Sequence, residues 1–290
     1  MKRLLILSGK GGTGKTTVAA SFVRFAQAKA AADCDVDAPN LHLVFPQENA
    51  PEISEFAGGD KAVIDAQKCI GCGLCQAHCR FHAIEACGDK FAVNEYSCEG
   101  CGVCAYICEQ GAVSIAADIA GRKELYMGDG VFSTAALKMG RGNSGKLVTE
   151  VKLAMLKKAP ETRLAVVDGS PGIGCPVISS MSGMDLVLIV AEPSLSGLSD
   201  LKRLVKTAEG FETTVAVCVN KYDMCPQKAG EIRRFCEESG ISFVGVLPYD
   251  KTASEAINAG KSIADTPCAL QDALKKVYCE TMRLLGIGTD

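Results

Sequence analysis

The chain has 290 residues, a formal net charge of −3 and 48% hydrophobic residues. This length allows one large α/β domain, or one domain that carries a smaller one, with a core that needs no disulfides, and we expect the second arrangement. Acidic and basic residues are mixed along the chain, so nothing indicates a nucleic-acid partner. The opening MKRLLILSGK has too short an apolar run for a signal peptide, and no segment has the length of a membrane span. We therefore expect a cytoplasmic protein.

In the first 45 residues, strand and helix patterns alternate as they do at the start of a parallel sheet. A strand at residues 3–7 is followed by a glycine-rich loop, a helix at 16–28 and a short strand at 30–35. The passage PQENAPEISEFAGGD, residues 46–60, has the composition of a loop.

An internal repeat follows this passage. The segment IDAQKCIGCGLCQAHCRFHAIEA from Ile64 returns as VNEYSCEGCGVCAYICEQGAVSIA from Val93, cysteine for cysteine. The repeat predicts a small pseudo-twofold module at residues 60–117, inserted into a larger domain made of residues 1–59 and 118–290.

After the repeat, strand and helix patterns alternate again. Apolar runs such as LVLIVA and TVAVCV are typical of buried parallel strands. We predict strands at residues 164–168, 186–191, 214–219 and 243–247, and helices at 146–158, 198–207, 227–238 and 269–285. The alternation predicts a doubly wound, mainly parallel α/β sheet with an inserted small α+β domain, and the glycine loop GKGGTGKT at residues 9–16, directly after the first strand, indicates the P-loop NTPase type.

The loop after the first strand fits the phosphate-binding pattern G-x-x-x-x-G-K-[ST]. Backbone N–H groups of such a loop cradle phosphates, the lysine reaches the outer phosphates, and the hydroxyl binds Mg²⁺. The predicted nucleotide-binding residues are Gly9, Lys10, Gly11, Gly12, Thr13, Gly14, Lys15, Thr16 and Thr17, with Lys15 also catalytic and Thr16 a magnesium ligand.

Lys10 turns this pattern into K-G-G-x-G-K-[ST], and here the sequence resembles the deviant Walker A ATPases, the MinD/ParA group that includes the nitrogenase iron protein. The resemblance implies an ATP-dependent homodimer in which Lys10 crosses the interface to the partner's nucleotide. In such a dimer Lys10 has the role of an arginine finger, a positive charge that one subunit supplies to stabilise the negative charge on the transferred phosphoryl group. A lysine that is merely solvated is the alternative.

The resemblance also assigns acidic residues. DCDVDAPN is similar to the group's D-x-D segment, which implies that Asp35 orients the attacking water and Asp33 supports the magnesium shell, with Asp37 a rival for either role. LAVVDGSPG suits Asp168 as the Walker B residue that holds Mg²⁺, although the group's D-x-P-P-G is D-G-S-P-G here.

Two further loops are similar to the adenine-side loops of the group. VNKYD and LPYD follow predicted strands, so the resemblance implies that Asn220 and Pro248 contact the base.

The sixteen cysteines do not form a secreted disulfide framework, because eight of them stand at metal-ligand spacing between Cys69 and Cys108. Two runs of C-x₂-C-x₂-C-x₃-C have the spacing of bacterial [4Fe–4S] ferredoxins, in which the fourth cysteine of each run binds the other cluster. The predicted ligand sets are Cys69, Cys72, Cys75 and Cys108, and Cys98, Cys101, Cys104 and Cys79. Arg80 and Glu109 replace the usual proline after the fourth cysteine, and zinc is the alternative metal.

Together the motifs resemble MinD-superfamily ATPases that contain an inserted ferredoxin domain. This resemblance implies that MgATP binding, dimerisation and hydrolysis are coupled to electron transfer through two [4Fe–4S] clusters to or from a redox partner protein. Two alternatives stay open. One is an ATP-dependent carrier or scaffold for iron–sulfur or metallocofactor assembly, and the other is a MinD/ParA-like positioning ATPase with structural clusters.

Three features have no assigned role. Cys175 stands at the distance from Asp168 at which the nitrogenase iron protein has a cluster ligand, but a buried or nucleophilic thiol is the simpler interpretation. Lys146 could reach a phosphate or a partner subunit, although it is more simply a solvated residue near a helix start. The last helix is amphipathic, and we expect it to pack on its own sheet rather than on a membrane.

Overall fold

The computed structural model describes residues 1–45 and 49–288. These residues form two compact units. The first unit consists of Met1–Ile53, Lys123–Ala136 and Gly145–Asp290, and the second of Ser54–Arg122 and Leu137–Ser144. The second unit thus contains all of residues 60–117 and extends beyond them on both sides. Its identity as an inserted ferredoxin domain stays a prediction.

The helices and strands are numbered in chain order. The strands are β1 Lys2–Leu7, β2 Ala30–Asp33, β3 Glu52–Ile64, β4 Ile84–Cys87, β5 Lys90–Val93, β6 Val113–Met127, β7 Val131–Leu137, β8 Leu164–Asp168, β9 Leu186–Ala191, β10 Thr214–Asn220 and β11 Ser242–Leu247. The helices are α1 Lys15–Ala26, α2 Leu74–Ala77, α3 Val103–Tyr106, α4 Ser144–Lys158, α5 Cys175–Met181, α6 Leu195–Ala208, α7 Pro226–Glu238, α8 Lys251–Asn258 and α9 Ala269–Leu285.

Nine strands of the described chain form one sheet in the order β11-β10-β9-β1-β8-β2-β7-β6-β3. The strands from β11 to β7 pair in parallel, for example Ile6 with Asp168 and Val217 with Ile189. Strands β3 and β6 are divided between the two units along the chain. The predicted fold class, a mainly parallel α/β sheet with helices, is confirmed.

The apolar runs form the core of the first unit. Every residue of β8 and β9 is buried, and α1 and α9 bury Phe22, Leu274 and Val277 against the sheet. Because parallel strands share one direction, β1, β8, β9, β10 and β11 end at the same edge of the sheet. The loops that follow these strands carry most of the predicted nucleotide residues.

The prediction of a loop at residues 46–60 was wrong in its second half. Residues 46–48 lie outside the described chain, but β3 begins at Glu52 and continues to Ile64. The strand contains two adjacent glycines, Gly58 and Gly59. Because glycine is rare in strands, this segment lacks the sequence pattern that predicts one. A Cβ on Gly58 would lie 2.6 Å from the Cβ of Ala120, so this glycine permits close packing of the strand on β6.

The second unit has matching halves, as the internal repeat predicts. Short helices α2 and α3 each begin after a glycine with left-handed backbone, Gly73 (φ 77°) and Gly102 (φ 79°). The chain also crosses over in a matched way, because Asp65 N donates to Ala112 O (2.8 Å) and Asn94 N donates to Ala83 O (2.7 Å). Each half therefore contributes hydrogen bonds to the other.

Candidate functional site

The glycine loop between β1 and α1 has a backbone conformation that requires glycine at two positions. Gly12 (φ 78°) and Gly14 (φ 92°) have left-handed conformations that other residues rarely adopt. A Cβ on Gly14 would lie 2.3 Å from Asn220 Nδ2, so a larger residue would displace that side chain. The loop then leads directly into α1, whose Val18 N donates to Gly14 O (3.1 Å).

Lys15 and Thr16 converge on the carboxylate at the end of β8. Lys15 Nζ lies 2.5 Å from Asp168 Oδ1 and 3.7 Å from Asp35 Oδ2, and Thr16 Oγ1 donates to Asp168 Oδ2 (2.7 Å). Burial alone would lower the pKa of Lys15, but the charges of Asp168, Asp35 and Asp33 outweigh it and raise the pKa. A hydroxyl beside a carboxylate offers the oxygen ligands that Mg²⁺ prefers.

The three aspartates of DCDVDAPN lie in different environments. Asp33 is fully buried, and its carboxylate accepts bonds from the backbone N–H groups of Asp35 (3.0 Å), Asn40 and Leu41 (both 2.9 Å). Burial, with the nearby Asp168, raises the pKa of Asp33 to about 7. Burial also raises the pKa of Asp35, and Lys15 opposes this shift. Asp35 and Asp37 both line the adjacent cleft, a position that suits either residue for the water-orienting role, and Asp35 also lies 3.7 Å from Lys15 Nζ.

This cleft has a volume of about 740 Å³ and lies wholly in the first unit. Residues Gly11 to Thr17 line one part of it, and Asn220, Leu247 and Pro248 line another. Asn220 Nδ2 donates to Thr13 O (2.6 Å), so the loop after β10 is tied to the glycine loop. Asp223 Oδ1 accepts a bond from Tyr249 N (2.8 Å), which connects the loops after β10 and β11.

Gly9 and Lys10 line a separate small recess next to this cleft. There Lys10 Nζ forms an ion pair with Glu192, the residue directly after β9. Glu192 also pairs with Lys221 Nζ (3.4 Å), which donates to Gly12 O (2.9 Å). Burial would raise the pKa of Glu192, but Lys10 and Lys221 together lower it. Sequence reasoning missed Glu192 and Lys221, because nothing in their spacing connects them to Lys10.

The cysteines of each run lie near one another in the second unit. Burial raises the pKa of Cys75, and the neighbouring Cys69 and Cys72 raise it further. In the second run, burial likewise raises the pKa of Cys104, which has Cys98 and Cys101 as neighbours.

The fourth cysteine of the first run joins the second run. Cys79, Cys98, Cys101 and Cys104 line one small cavity, which is the second predicted ligand set. Cys108, predicted to join the first run, packs with Cys79, Cys98 and Cys104 against the small core around Ala62 and Val113. Among the described residues no group of three or more His, Cys, Asp or Glu side chains is arranged to hold a single metal ion.

The remaining predicted features are exposed or packed. Cys175 is exposed at the start of α5, and Lys146 is exposed near the start of α4. The apolar face of α9 is buried in the main core through Leu270, Leu274 and Val277. No helix within the described ranges is both long and apolar enough to cross a membrane.

Comparison with known proteins identifies related sequences and a related fold. Residues 4–263 match the CobQ/CobB/MinD/ParA nucleotide binding domain. An uncharacterized protein of Methanocaldococcus jannaschii is 35% identical over 77% of this chain and 79% of its own length. The iron-sulfur cluster carrier protein of Pyrococcus furiosus is 26% identical over 50% of this chain and 56% of its own length. The crystal structure of the cell division ATPase MinD from Pyrococcus furiosus superposes with a TM-score of 0.57 at 17% identity, covering 98% of this chain and 99% of MinD.

Proposed function

The chain belongs to the CobQ/CobB/MinD/ParA nucleotide-binding family, and we propose that it is an iron–sulfur ATPase in which MgATP binding, dimerisation and hydrolysis control electron transfer through two [4Fe–4S] clusters. The observation that carries the proposal is the combination of two sites in one chain. Lys15 and Thr16 meet Asp168 beside the cleft, and four cysteines from both runs line one cavity.

The nucleotide part of the proposal follows from the contacts around the cleft. ATP occupies the cleft, with its phosphates on the N–H groups of the glycine loop and its base between Asn220 and Pro248. Lys15 exchanges the Asp168 carboxylate for phosphate oxygens, and Thr16 with Asp168 holds Mg²⁺, supported by Asp33. Bound Mg²⁺ supplies charge neutralisation of the phosphates.

Hydrolysis requires two further groups in this proposal. Asp35 lines the cleft beside Lys15 and orients the attacking water. Lys10 acts on the nucleotide of the second chain, because in its own chain it points into a separate recess and pairs with Glu192. A homodimer that forms with MgATP therefore completes each active site.

The cysteine sets are suited to iron–sulfur clusters by ligand type and by arrangement. Thiolates are the ligands that such clusters use, and a four-iron cube needs ligands farther apart than a single ion does. When bound, the clusters supply one-electron redox chemistry. The chain supplies the thiolates and the N–H donors to them. All sixteen cysteines are free of disulfide bonds, which is typical of a cytoplasmic protein.

Iron and sulfide analysis of the anaerobically purified chain tests this assignment. We expect about eight irons and eight sulfides per chain, as two cubes require. Cys101→Ser together with Cys104→Ser should remove about half of them, whereas the control Cys279→Ser, an exposed cysteine outside both runs, should remove none. Zinc in place of iron, or equal loss from the control, would contradict the assignment.

A carrier of iron–sulfur clusters is the second candidate, favoured by the similarity to the iron-sulfur cluster carrier protein of Pyrococcus furiosus. A carrier would hold labile iron beyond the resident eight and release it to an acceptor protein in response to ATP. The measurement is transfer of radiolabelled iron to an apo-ferredoxin, with and without MgATP. Transfer of the iron to the apo-ferredoxin would favour the carrier role, whereas retention of all the iron by the chain would favour electron transfer.

A further inference from the structure

The two halves of the second unit correspond residue by residue beyond their cysteines, which allows the surroundings of the two ligand sets to be compared. The repeat begins earlier than the cysteine runs, because Gly59-Asp60-Lys61 corresponds to Gly88-Asp89-Lys90, each eight residues before the first cysteine of a run. The backbone preserves this correspondence. A Cβ on Gly71 would lie 2.2 Å from Asp89 O, and one on Gly100 would lie 2.2 Å from Asp60 O.

Hydrogen bonds to sulfur differ between the two predicted ligand sets. In the set of Cys98, Cys101, Cys104 and Cys79, Cys98 Sγ accepts from Ala62 N (3.4 Å) and Gly100 N (3.5 Å). Cys79 Sγ accepts from Ala83 N (3.3 Å). In the other set, Cys108 Sγ accepts from Ala112 N (3.3 Å). Each set also has a matching backbone donor at its third cysteine, Gln76 at Cys75 and Ala105 at Cys104. Within the described chain, the set that contains Cys98 thus accepts two more backbone N–H bonds than the set that contains Cys69.

The two corresponding lysines also differ. Lys61 Nζ donates to the backbone O of Cys98 itself, whereas Lys90 Nζ donates to the O of Ala66, three residues before Cys69. The ammonium group of Lys61 is therefore held beside a cluster ligand, and that of Lys90 is held away from one.

Other charges near the two sets do not reverse this difference. Glu99 lines the cavity of the Cys98 set and opposes Lys61, while the exposed Arg80, which directly follows Cys79 in the chain, carries a positive charge. Near the other set, Lys68 is paired with Asp65 (3.8 Å), and Glu109 directly follows Cys108. Burial is matched between the two sets, because each contains one buried, one exposed and two half-buried cysteines.

We propose that the cluster held by Cys98, Cys101, Cys104 and Cys79 has the higher reduction potential of the two, and that Lys61 sets this order as a positioning charge. Reduction adds one electron from the reductant to a cluster without forming or breaking a bond. N–H donors and a nearby cation stabilise that added negative charge, so the first electron goes to this cluster. The inference rests on the proposed function, because it requires both clusters.

A redox titration of the anaerobic full-length chain with dithionite, followed by EPR, tests the inference. The quantity measured is the ratio of the reduced to the oxidised form of the higher-potential cluster at a fixed applied potential. For Lys61→Gln we expect this ratio to fall roughly fivefold, because the variant removes one positive charge that lies several ångströms from the cluster. Lys61→Arg, which keeps the charge, should restore the ratio, and the matched control Lys90→Gln should leave it unchanged. Cys101→Ser identifies the cluster, because replacing a thiolate ligand alters only the spectrum of the cluster to which it belongs.

A second variant should change the same ratio in the opposite direction, and it keeps the inference testable if the Lys61 variant does not fold. Glu99→Gln should raise the same ratio, since it removes the negative charge at that cavity. Equal responses to Lys61→Gln and Lys90→Gln, an unchanged ratio in Glu99→Gln, or assignment of the higher potential to the Cys69 set would overturn the inference. A wild-type chain without iron would overturn the proposed function as well, so the iron content distinguishes the two failures.

Discussion

Glu192 holds Lys10 within a single chain, although the proposed task of Lys10 lies in the partner's active site. The side chain of Lys10 is 40% exposed, so solvent weakens this ion pair and leaves it easy to break. The phosphates of a second chain's nucleotide would then compete with Glu192 for the same ammonium group. Glu192 thus sets how readily Lys10 becomes available for dimerisation.

Replacing Glu192 by Gln should strengthen the nucleotide-dependent dimer. Loss of an ion pair at this degree of exposure corresponds to about a two- to fivefold lower dissociation constant of the dimer. Sedimentation equilibrium with a non-hydrolysable ATP analogue measures this constant. Glu161→Gln, at an exposed position outside the site, serves as control, and a weaker dimer in Glu192→Gln would show that Glu192 supports the interface instead.

Replacing Lys10 by Ala should separate binding from hydrolysis. Lys15 and the loop N–H groups remain, so MgATP affinity stays within a few-fold of that of the wild type. The steady-state ATPase rate should fall by on the order of 10³, the scale of an arginine finger. Fluorescent-nucleotide titration and phosphate release are the two measurements. A monomeric wild-type chain that hydrolyses ATP at its full rate would refute the role in trans.

At the scale of elements, the glycine loop and the loop after β10 form one unit through Asn220. Gly14→Ala should weaken nucleotide binding by roughly tenfold or more, because it forces a Cβ against Asn220 at a left-handed φ of 92°. Isothermal titration with MgADP measures the affinity. Gly230→Ala in α7, where a Cβ meets nothing within 4 Å, is the matched control and should bind normally. Equal affinities of the two variants would mean that the loop tolerates the side chain.

The α4 helix is tied to α5, which follows the loop after Asp168. The buried Lys152 of α4 donates to the O atoms of Ser179 (2.6 Å), Ser180 (3.0 Å) and Ser182 (2.7 Å). Burial lowers the pKa of Lys152, with Cys34 opposing that shift. The ammonium group therefore satisfies carbonyls at the end of α5, where a helix leaves its last C=O groups without intrahelical partners.

Lys152→Met should destabilise the fold by about 1–3 kcal/mol, since it leaves these carbonyls without their donor. Urea denaturation followed by circular dichroism measures the free energy of unfolding. Lys157→Met, at an exposed position of the same helix, should change it by less than about 0.5 kcal/mol. Similar values for the two variants would mean that water replaces the lysine.

The buried elements were predictable because their periodicity is strong. The predicted bounds of β8, β9 and α9 agree with the structure, since continuous apolar runs and an amphipathic pattern define them. Strands β6 and β7 and helix α8 were not predicted. Strand β6 alternates little and is mostly exposed or half-buried, so its sequence lacks the signal of a buried strand.

At the scale of the whole molecule, the site was predictable only where its residues are close in sequence. The glycine loop and each cysteine run are local motifs, and their spacing specifies their geometry. Glu192 and Lys61 act on residues 182 and 37 positions away, respectively, through contacts that arise when strands pair or when repeat halves cross over. Such pairings depend on the tertiary structure, and no single-sequence pattern encodes them.

The central claim is that one chain joins an ATP switch to two clusters. Reduction potentials of the anaerobic protein, recorded by EPR with MgADP and with a non-hydrolysable MgATP analogue, test it most directly. We predict that at least one of the two potentials differs between the two nucleotides, and that Lys10→Ala, which does not complete the partner's site, abolishes the difference. Two clusters whose potentials are identical with either nucleotide would contradict the claim and leave an ATPase whose clusters are structural.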